Sequence, residues 1–166
     1  IFRTKVKYPY DNLPEGIKHA VRADNDRAGE FVFSNGSSIS VSTSYRSGTL
    51  QLLHVSEYGK IAARYPDRAL EIKTGAMEAV PKDGIILVES TAEGNGGDFF
   101  ELTKKARALH DEGRKPRKME YKFFFEPWWE NPEYQDDEPV DVTTEMAAYF
   151  EELEELGIKL TQEQKN

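Results

Sequence analysis

Two stretches of the chain combine an apolar run with an abrupt polar ending. Leu50-Gln51-Leu52-Leu53-His54-Val55 gives way to Ser56-Glu57-Tyr58-Gly59. Gly84-Ile85-Ile86-Leu87-Val88 gives way to Glu89-Ser90-Thr91-Ala92. Short runs of this composition predict strands buried in a sheet. Polar groups at the C-terminal ends of such strands lie where open α/β sheets place their ligands. Two strands that end alike predict one shared site.

The pattern between them is helical. A short helix is expected over 60–65, stopped by Pro66. Asp67 then caps a second helix that carries Leu70, Met77 and Val80 toward the core. Pro81 ends it, and Lys82-Asp83-Gly84 turns the chain. A strand, helix, strand unit implies parallel pairing with a right-handed crossover. Upstream, Phe31 and Phe33 alternate with polar neighbours, as do Ile39, Val41 and Thr43, around an Asn35-Gly36 hairpin turn. A short strand is expected over 17–21 and a turn at Asp24-Asn25-Asp26. Downstream, Phe99, Leu102, Ala106 and Leu109 recur at helical spacing over 98–112, with Gly113 placed to end that helix. Residues 119–125 are aromatic and strand-like. Thr143 or Thr144 caps a helix with Met146, Tyr149, Phe150 and Leu153 on one face, ended by Gly157. Thr161-Gln162-Glu163-Gln164 is a capping-box pattern that starts another helix.

Composition narrows the classes. The 166 residues suffice for one domain with a sizeable core. A net charge of -8 and a pI near 5.0 argue against a free-standing nucleic-acid clamp. The one concentration of positive charge is Gly113-Arg114-Lys115-Pro116-Arg117-Lys118. The absence of cysteine excludes disulfides and thiolate metal sites. No apolar run approaches membrane-spanning length, and no signal peptide is visible. Starting at Ile1 and stopping just inside a capped helix, the sequence reads as part of a longer protein.

Several features carry candidate chemistry. Ala92-Glu93-Gly94-Asn95-Gly96-Gly97 is a glycine-rich loop before a helix, a place where backbone N–H groups can bind phosphate. It lacks both the phosphate-loop and the dinucleotide patterns, so a connector is the simpler reading. Trp128 and Trp129 suit either stacking on bases or locking a loop onto a core. Asp136, Asp137 and Glu138 are adjacent rather than convergent and make a poor metal site. Arg46 stands in a small-residue loop eleven positions before Glu57.

Three motifs in order carry a resemblance: Leu53-His54-Val55-Ser56-Glu57-Tyr58-Gly59-Lys60-Ile61, Leu87-Val88-Glu89-Ser90-Thr91-Ala92-Glu93-Gly94-Asn95-Gly96, and Phe124-Phe125-Glu126-Pro127-Trp128-Trp129. Together, over roughly residues 30–134, the chain resembles the N-terminal ATPase half of the large terminase subunit of tailed bacteriophages. The resemblance implies an α/β fold, a mainly parallel sheet flanked by helices of the P-loop NTPase kind. Residues 1–127 would be an ATPase core fragment. Residues 128–166 would be a small helical lid or linker leading toward a nuclease domain. It implies ATP and Mg2+ as cofactors, and double-stranded DNA, a portal protein, the small terminase subunit and further copies of the chain as partners, in the host bacterial cytoplasm and without a membrane. By position, Glu57 takes the place of the water-polarising catalytic glutamate. Ser56 replaces the usual aspartate that holds magnesium through water; its hydroxyl can orient such a water but supplies no charge. Ser90, Thr91 and Ala92 resemble the motif that couples nucleotide state to movement. Arg46 falls where some members carry an arginine finger. No Gly-x-x-x-x-Gly-Lys-Ser/Thr occurs. Two other readings remain: a superfamily-2 helicase fragment, which would call for an aspartate-glutamate pair in place of Ser56-Glu57, and a non-catalytic DNA-binding or structural module.

Overall fold

The computed structural model describes residues 1–27, 29–45 and 48–166, with backbone alone over 25–27. The fold is mixed α/β. The chain divides into two compact units, residues 1–105 with 116–120 and residues 106–115 with 121–166.

In the first unit, a π-helical turn (Phe2–Lys7) and two short helices, α1 (Tyr8–Asp11) and α2 (Glu15–Ala20), precede the first strands. The strand expected over 17–21 is instead α2. Pro14 precedes its first residue, the Ile17 N–H bonds back to the Pro14 carbonyl at 2.9 Å, and Lys18 pairs with Glu15 one turn away at 2.6 Å. The expected turn at 24–26 is instead inside β1 (Ala23–Arg27). Its backbone pairs antiparallel with β2 (Glu30–Phe33), with a register shift between Ala23 and Asn25. Tertiary pairing here overrides the turn preference of Asp and Asn.

The hairpin forms at the expected turn, but its second strand ends at Ser40, short of Val41 and Thr43, and Ile39 and Val41 are exposed. β2 pairs with β3 (Ser38–Ser40), Phe31 facing Ile39 across the ladder. Gly36 supplies the positive φ of 81° that the turn requires, and the Asn35 Oδ1 accepts from the Ser37 N–H at 3.0 Å. Phe31, 1% exposed, packs against Phe2, Tyr10 and Phe33 with ring centroids 5.1 to 5.9 Å away. The Tyr10 hydroxyl accepts from the Ala23 N–H at 2.8 Å and ties that aromatic cluster to β1.

The second sheet has two parallel strands, β4 (Leu52–Val55) and β5 (Ile85–Val88), in register from Leu52 with Ile85 to Val55 with Val88. Between them run α3 (Tyr58–Arg64), α4 (Pro66–Glu71) and a π-helical turn (Ile72–Met77). The strand, helix, strand expectation is borne out. Three details differ. The larger sheet is the antiparallel one, so the strands are not mainly parallel. Only one face of β4 and β5 is covered: Leu53, Val55, Ile86 and Val88 pack inward, whereas Leu52, Ile85 and Leu87 are exposed. Leu70 is exposed too, because Ala69 takes the inward position on α4.

The core gathers Val55, Tyr58, Ala62, Ala69 and Met77, with Phe99 and Leu102 of α5 (Asp98–Asp111) against it. Tyr58 is its largest member and has no exposed surface. Its hydroxyl donates to the Asp98 Oδ2 at 2.9 Å, with the Ala69 carbonyl oxygen at 3.2 Å. A buried phenol needs such a partner. Lys73 completes the group by pairing with the other Asp98 oxygen.

The second unit contains a 3-10 turn (Trp128–Glu130), α6 (Thr144–Glu155) and α7 (Gln162–Lys165). Thr143 is the cap of α6, its hydroxyl accepting from the Met146 N–H at 3.2 Å. Phe150 and Leu153 are buried as expected, while Met146 and Tyr149 are exposed. The capping box at Thr161 and Gln164 forms in both directions, at 3.4 and 2.8 Å. The strand expected at 119–125 is absent: those residues join no ladder.

Tyr58→Phe is expected to lower the unfolding free energy by about 1–2 kcal/mol, because it removes the hydrogen bond from the buried phenol to the part-buried Asp98 carboxylate. Tyr58→Ala is expected to lower it by about 3–5 kcal/mol through the cavity it leaves. Urea unfolding followed by circular dichroism measures both, and equal stability of Tyr58→Phe and the parent would refute the role given to the hydroxyl.

Candidate functional site

The pairing of β4 with β5 continues past their last residues. The Glu89 N–H donates to the Val55 carbonyl at 3.1 Å, and the Tyr58 N–H donates to the Glu89 carbonyl at 3.2 Å. Ser56 and Glu57 are therefore held beside Glu89 and Ser90 at the C-terminal edge of the pair. The side chains of Ser56 and Glu57 are exposed.

Glu57 is in the left-handed region, with φ 58° and ψ 34°, and is the only such non-glycine residue among those described. The local demands explain it. Tyr58 must enter the core while its N–H reaches Glu89, and α3 must start at once, with the Glu57 carbonyl accepting from the Ile61 N–H at 3.1 Å. One residue has to reverse the chain. Glycine would do so without steric penalty, whereas a side chain there costs roughly 1–2 kcal/mol. Strain of this kind gathers where a side chain has to be aimed.

The second strand delivers Ser90 and Thr91 to the same edge. The Ser90 Oγ is buried without a hydrogen-bond partner. An orphaned hydroxyl of this kind calls for a functional or structural reason. Gly59 lies against it. A Cβ at that position would come within 2.8 Å of the Ser90 Oγ and 3.0 Å of both the Phe99 ring and the Thr91 carbonyl oxygen. The start of α3 and the end of β5 thus touch through a glycine. Thr91 and Ala92 are exposed. Arg46 lies outside the described residues.

The glycine-rich loop has an electrostatic character that its sequence leaves open. Arg64 binds the Glu93 Oε1 through Nε at 3.0 Å and Nη2 at 2.7 Å, which fastens the loop to the end of α3. Asp98 and Glu101 place two carboxylates in the first turn of α5, where they complement the helix dipole themselves. The connector reading fits this better than phosphate binding. Behind the loop, Gly59, Ala92, Phe99 and Thr103 line a cavity of about 80 Å³. A second cavity of about 190 Å³ lies between α4 and the start of α5, beside Lys73 and Asp98. Both are below the roughly 300 Å³ at which small-molecule pockets begin.

Sequence patterns missed three pairings. His54 lies 3.4 Å from Glu89 across the exposed face of the strand pair, an ion pair when the imidazole is protonated. Tyr58 and Asp98 meet from 40 positions apart, and Arg64 and Glu93 from 29. No local signal announces pairs so distant in the chain. The alternation of His54 with Leu53 and Val55 was the one available sign that it faces away from the core. Among the described residues, no three His, Cys, Asp or Glu side chains converge as a metal site would have them. No described helix is long and apolar enough to cross a membrane.

The arrangement is that of an α/β protein presenting a carboxylate and hydroxyls at the C-terminal edge of a parallel strand pair. No protein-family profile, curated protein or solved structure matches the chain.

Glu57→Gly is expected to stabilise the chain by about 1 kcal/mol by relieving the left-handed strain. Gly59→Ala is expected to destabilise it by about 1–3 kcal/mol through overpacking against Ser90 and the Thr91 backbone. Thermal unfolding of the two variants tests both signs, and a destabilised Glu57→Gly would show the conformation to be unstrained.

Proposed function

We propose that this chain is part of the ATPase half of a DNA-packaging motor of the terminase large-subunit type, coupling ATP hydrolysis to movement of double-stranded DNA into a procapsid. The observation that carries the reading is Glu57, left-handed just past the C-terminal end of β4, with the N–H of the next residue bonded to the Glu89 carbonyl just past β5. The order of the three motifs quoted above adds to it. So does the open face of the strand pair. Leu52, Ile85 and Leu87 are each about half exposed, whereas parallel sheets are ordinarily covered on both faces. A complete ATPase core would supply that cover.

The residues present fit the water-activating side of a nucleotide site and not its phosphate-gripping side. Bound ATP with magnesium would supply the phosphoanhydride to be cleaved. In the role proposed, the Glu57 carboxylate accepts a hydrogen bond from the attacking water and takes its proton. The Ser56 hydroxyl is placed to orient a metal-bound water without adding charge. The Ser90 hydroxyl, buried and unpartnered, is available to form a bond in one nucleotide state and lose it in another, and Gly59 passes that difference to α3. Arg46 is assigned to a neighbouring copy's nucleotide. The portal protein, the small subunit and further copies in a ring are the partners this role requires, in the host bacterial cytoplasm.

The DNA-binding-module reading draws less support. The Trp128 Nε1 donates to the Tyr149 hydroxyl at 3.1 Å, and the Trp129 carbonyl accepts from the Gln164 Nε2 at 2.6 Å, so both tryptophans serve as loop anchors.

The 166-residue chain alone is expected to hydrolyse ATP at the background rate, because the phosphate grip is lacking; magnesium-dependent turnover by the purified chain would overturn that. In a longer form that carries a phosphate loop, Glu57→Gln should keep nucleotide binding and lose turnover by about a hundredfold or more. Mixing Arg46→Ala with Glu57→Gln subunits, each inactive alone, should restore part of the activity. Co-assembly without recovery would refute action of Arg46 in a neighbouring copy.

A further inference from the structure

Residues 122–126, Lys-Phe-Phe-Phe-Glu, belong to no strand. Among the described residues they neither donate nor accept a backbone hydrogen bond. Their side chains nevertheless sit as a strand would place them. The rings of Phe123 and Phe125 are 6.4 Å apart and within 7° of parallel, as alternate residues on one face of a strand would be. Lys122 lies over the ring of Phe124 at 4.5 Å, the next alternate pair. Phe124 is 70% exposed and Phe125 64%. A strand-like segment with free N–H and C=O groups and exposed aromatics is a template for pairing with another chain.

The segment is complementary to itself. In an antiparallel register centred on Phe124, Lys122 of each copy faces Glu126 of the other. Phe123 faces Phe125, and Phe124 meets its own twin. Opposite charges and aromatic rings directly across a ladder are both favourable pairs. A parallel register would set lysine against lysine and glutamate against glutamate, which is unfavourable. The antiparallel register has twofold symmetry and closes at two copies.

We propose that residues 122–126 form an antiparallel β-ladder with the same residues of a second copy, making a weak homodimer. Five residues from each copy bury far less than the ~1,600 Å² of an ordinary stable interface. The dimer therefore has a dissociation constant on the order of 10 µM to 1 mM. This pairing is independent of the ATPase reading and survives its failure.

Sedimentation velocity of the 166-residue chain from about 10 µM to 1 mM tests the pairing. The parent chain should pass from monomer to dimer across that range. Lys122→Glu and Glu126→Lys should each weaken the dimer about tenfold or more, since each sets like charges opposite. An equimolar mixture of the two, and the double variant K122E/E126K, should both recover the parent's association. The double variant keeps the parent's net charge, so its recovery separates local pairing from bulk charge and from loss of fold. A parent chain that stays monomeric throughout overturns the proposal. So does a Lys122→Glu chain that dimerises like the parent, or a double variant that does not recover.

Discussion

The buried side chain of Tyr58 holds the first unit together. It follows directly on the residue that ends the β4 extension, so its position fixes where that strand stops and where α3 begins. Its ring lies edge-on to Phe99, with centroids 6.4 Å apart, and its hydroxyl reaches the first residue of α5. Its N–H holds the chain after β5. One residue thereby links both parallel strands to α4 within the crossover and to α5 beyond it. The left-handed Glu57 is a consequence of that placement: the strain is local, and the burial next to it offsets it.

The second unit is organised differently. Its helices are held by ends and single contacts rather than by a broad core. Thr143 and the Thr161 with Gln164 box satisfy helix N-termini, and Gln164 also anchors Trp129. Lys165 pairs with Glu154 at 2.7 Å, and that hydrogen bond, with the charge behind it, holds the Glu154 carboxyl below its ordinary range. A depressed carboxyl contributes stability above its unfolded value and loses it as pH falls through the folded one. Glu154 is open to solvent, so the contribution is small and screened by salt.

The charge distribution separates two neighbouring features that look alike on paper. The ends of β4 and β5 carry Ser56, Glu57, Ser90 and Thr91, one carboxylate and three hydroxyls. The glycine-rich loop a few residues later resembles an anion cradle in its glycines alone. The helix that follows already has the carboxylates of Asp98 and Glu101 in its first turn, and Glu93 of the loop is held by Arg64. Glycine content alone does not create a phosphate site; the sign of the surrounding charge decides.

Local order was legible in the residues themselves. The hairpin at Asn35-Gly36, the two parallel strands, the helix from Asp98, and the caps at Thr143 and Thr161 all follow from patterns spanning a few positions. Such elements rest on side-chain alternation, turn residues and end-capping that neighbouring residues supply. The tertiary structure decided the rest. It drew Asp24, Asn25 and Asp26 into a strand because β2 offered a ladder, left 122–126 without one, and turned residues 17–20 into a helix behind Pro14. It put Glu57 in a left-handed conformation because Tyr58 had to be buried. It chose Asp98 and Glu93 as partners for residues tens of positions away. Those outcomes depend on burial and hydrogen bonding between distant segments, and their energies exist only once the chain has brought the segments together.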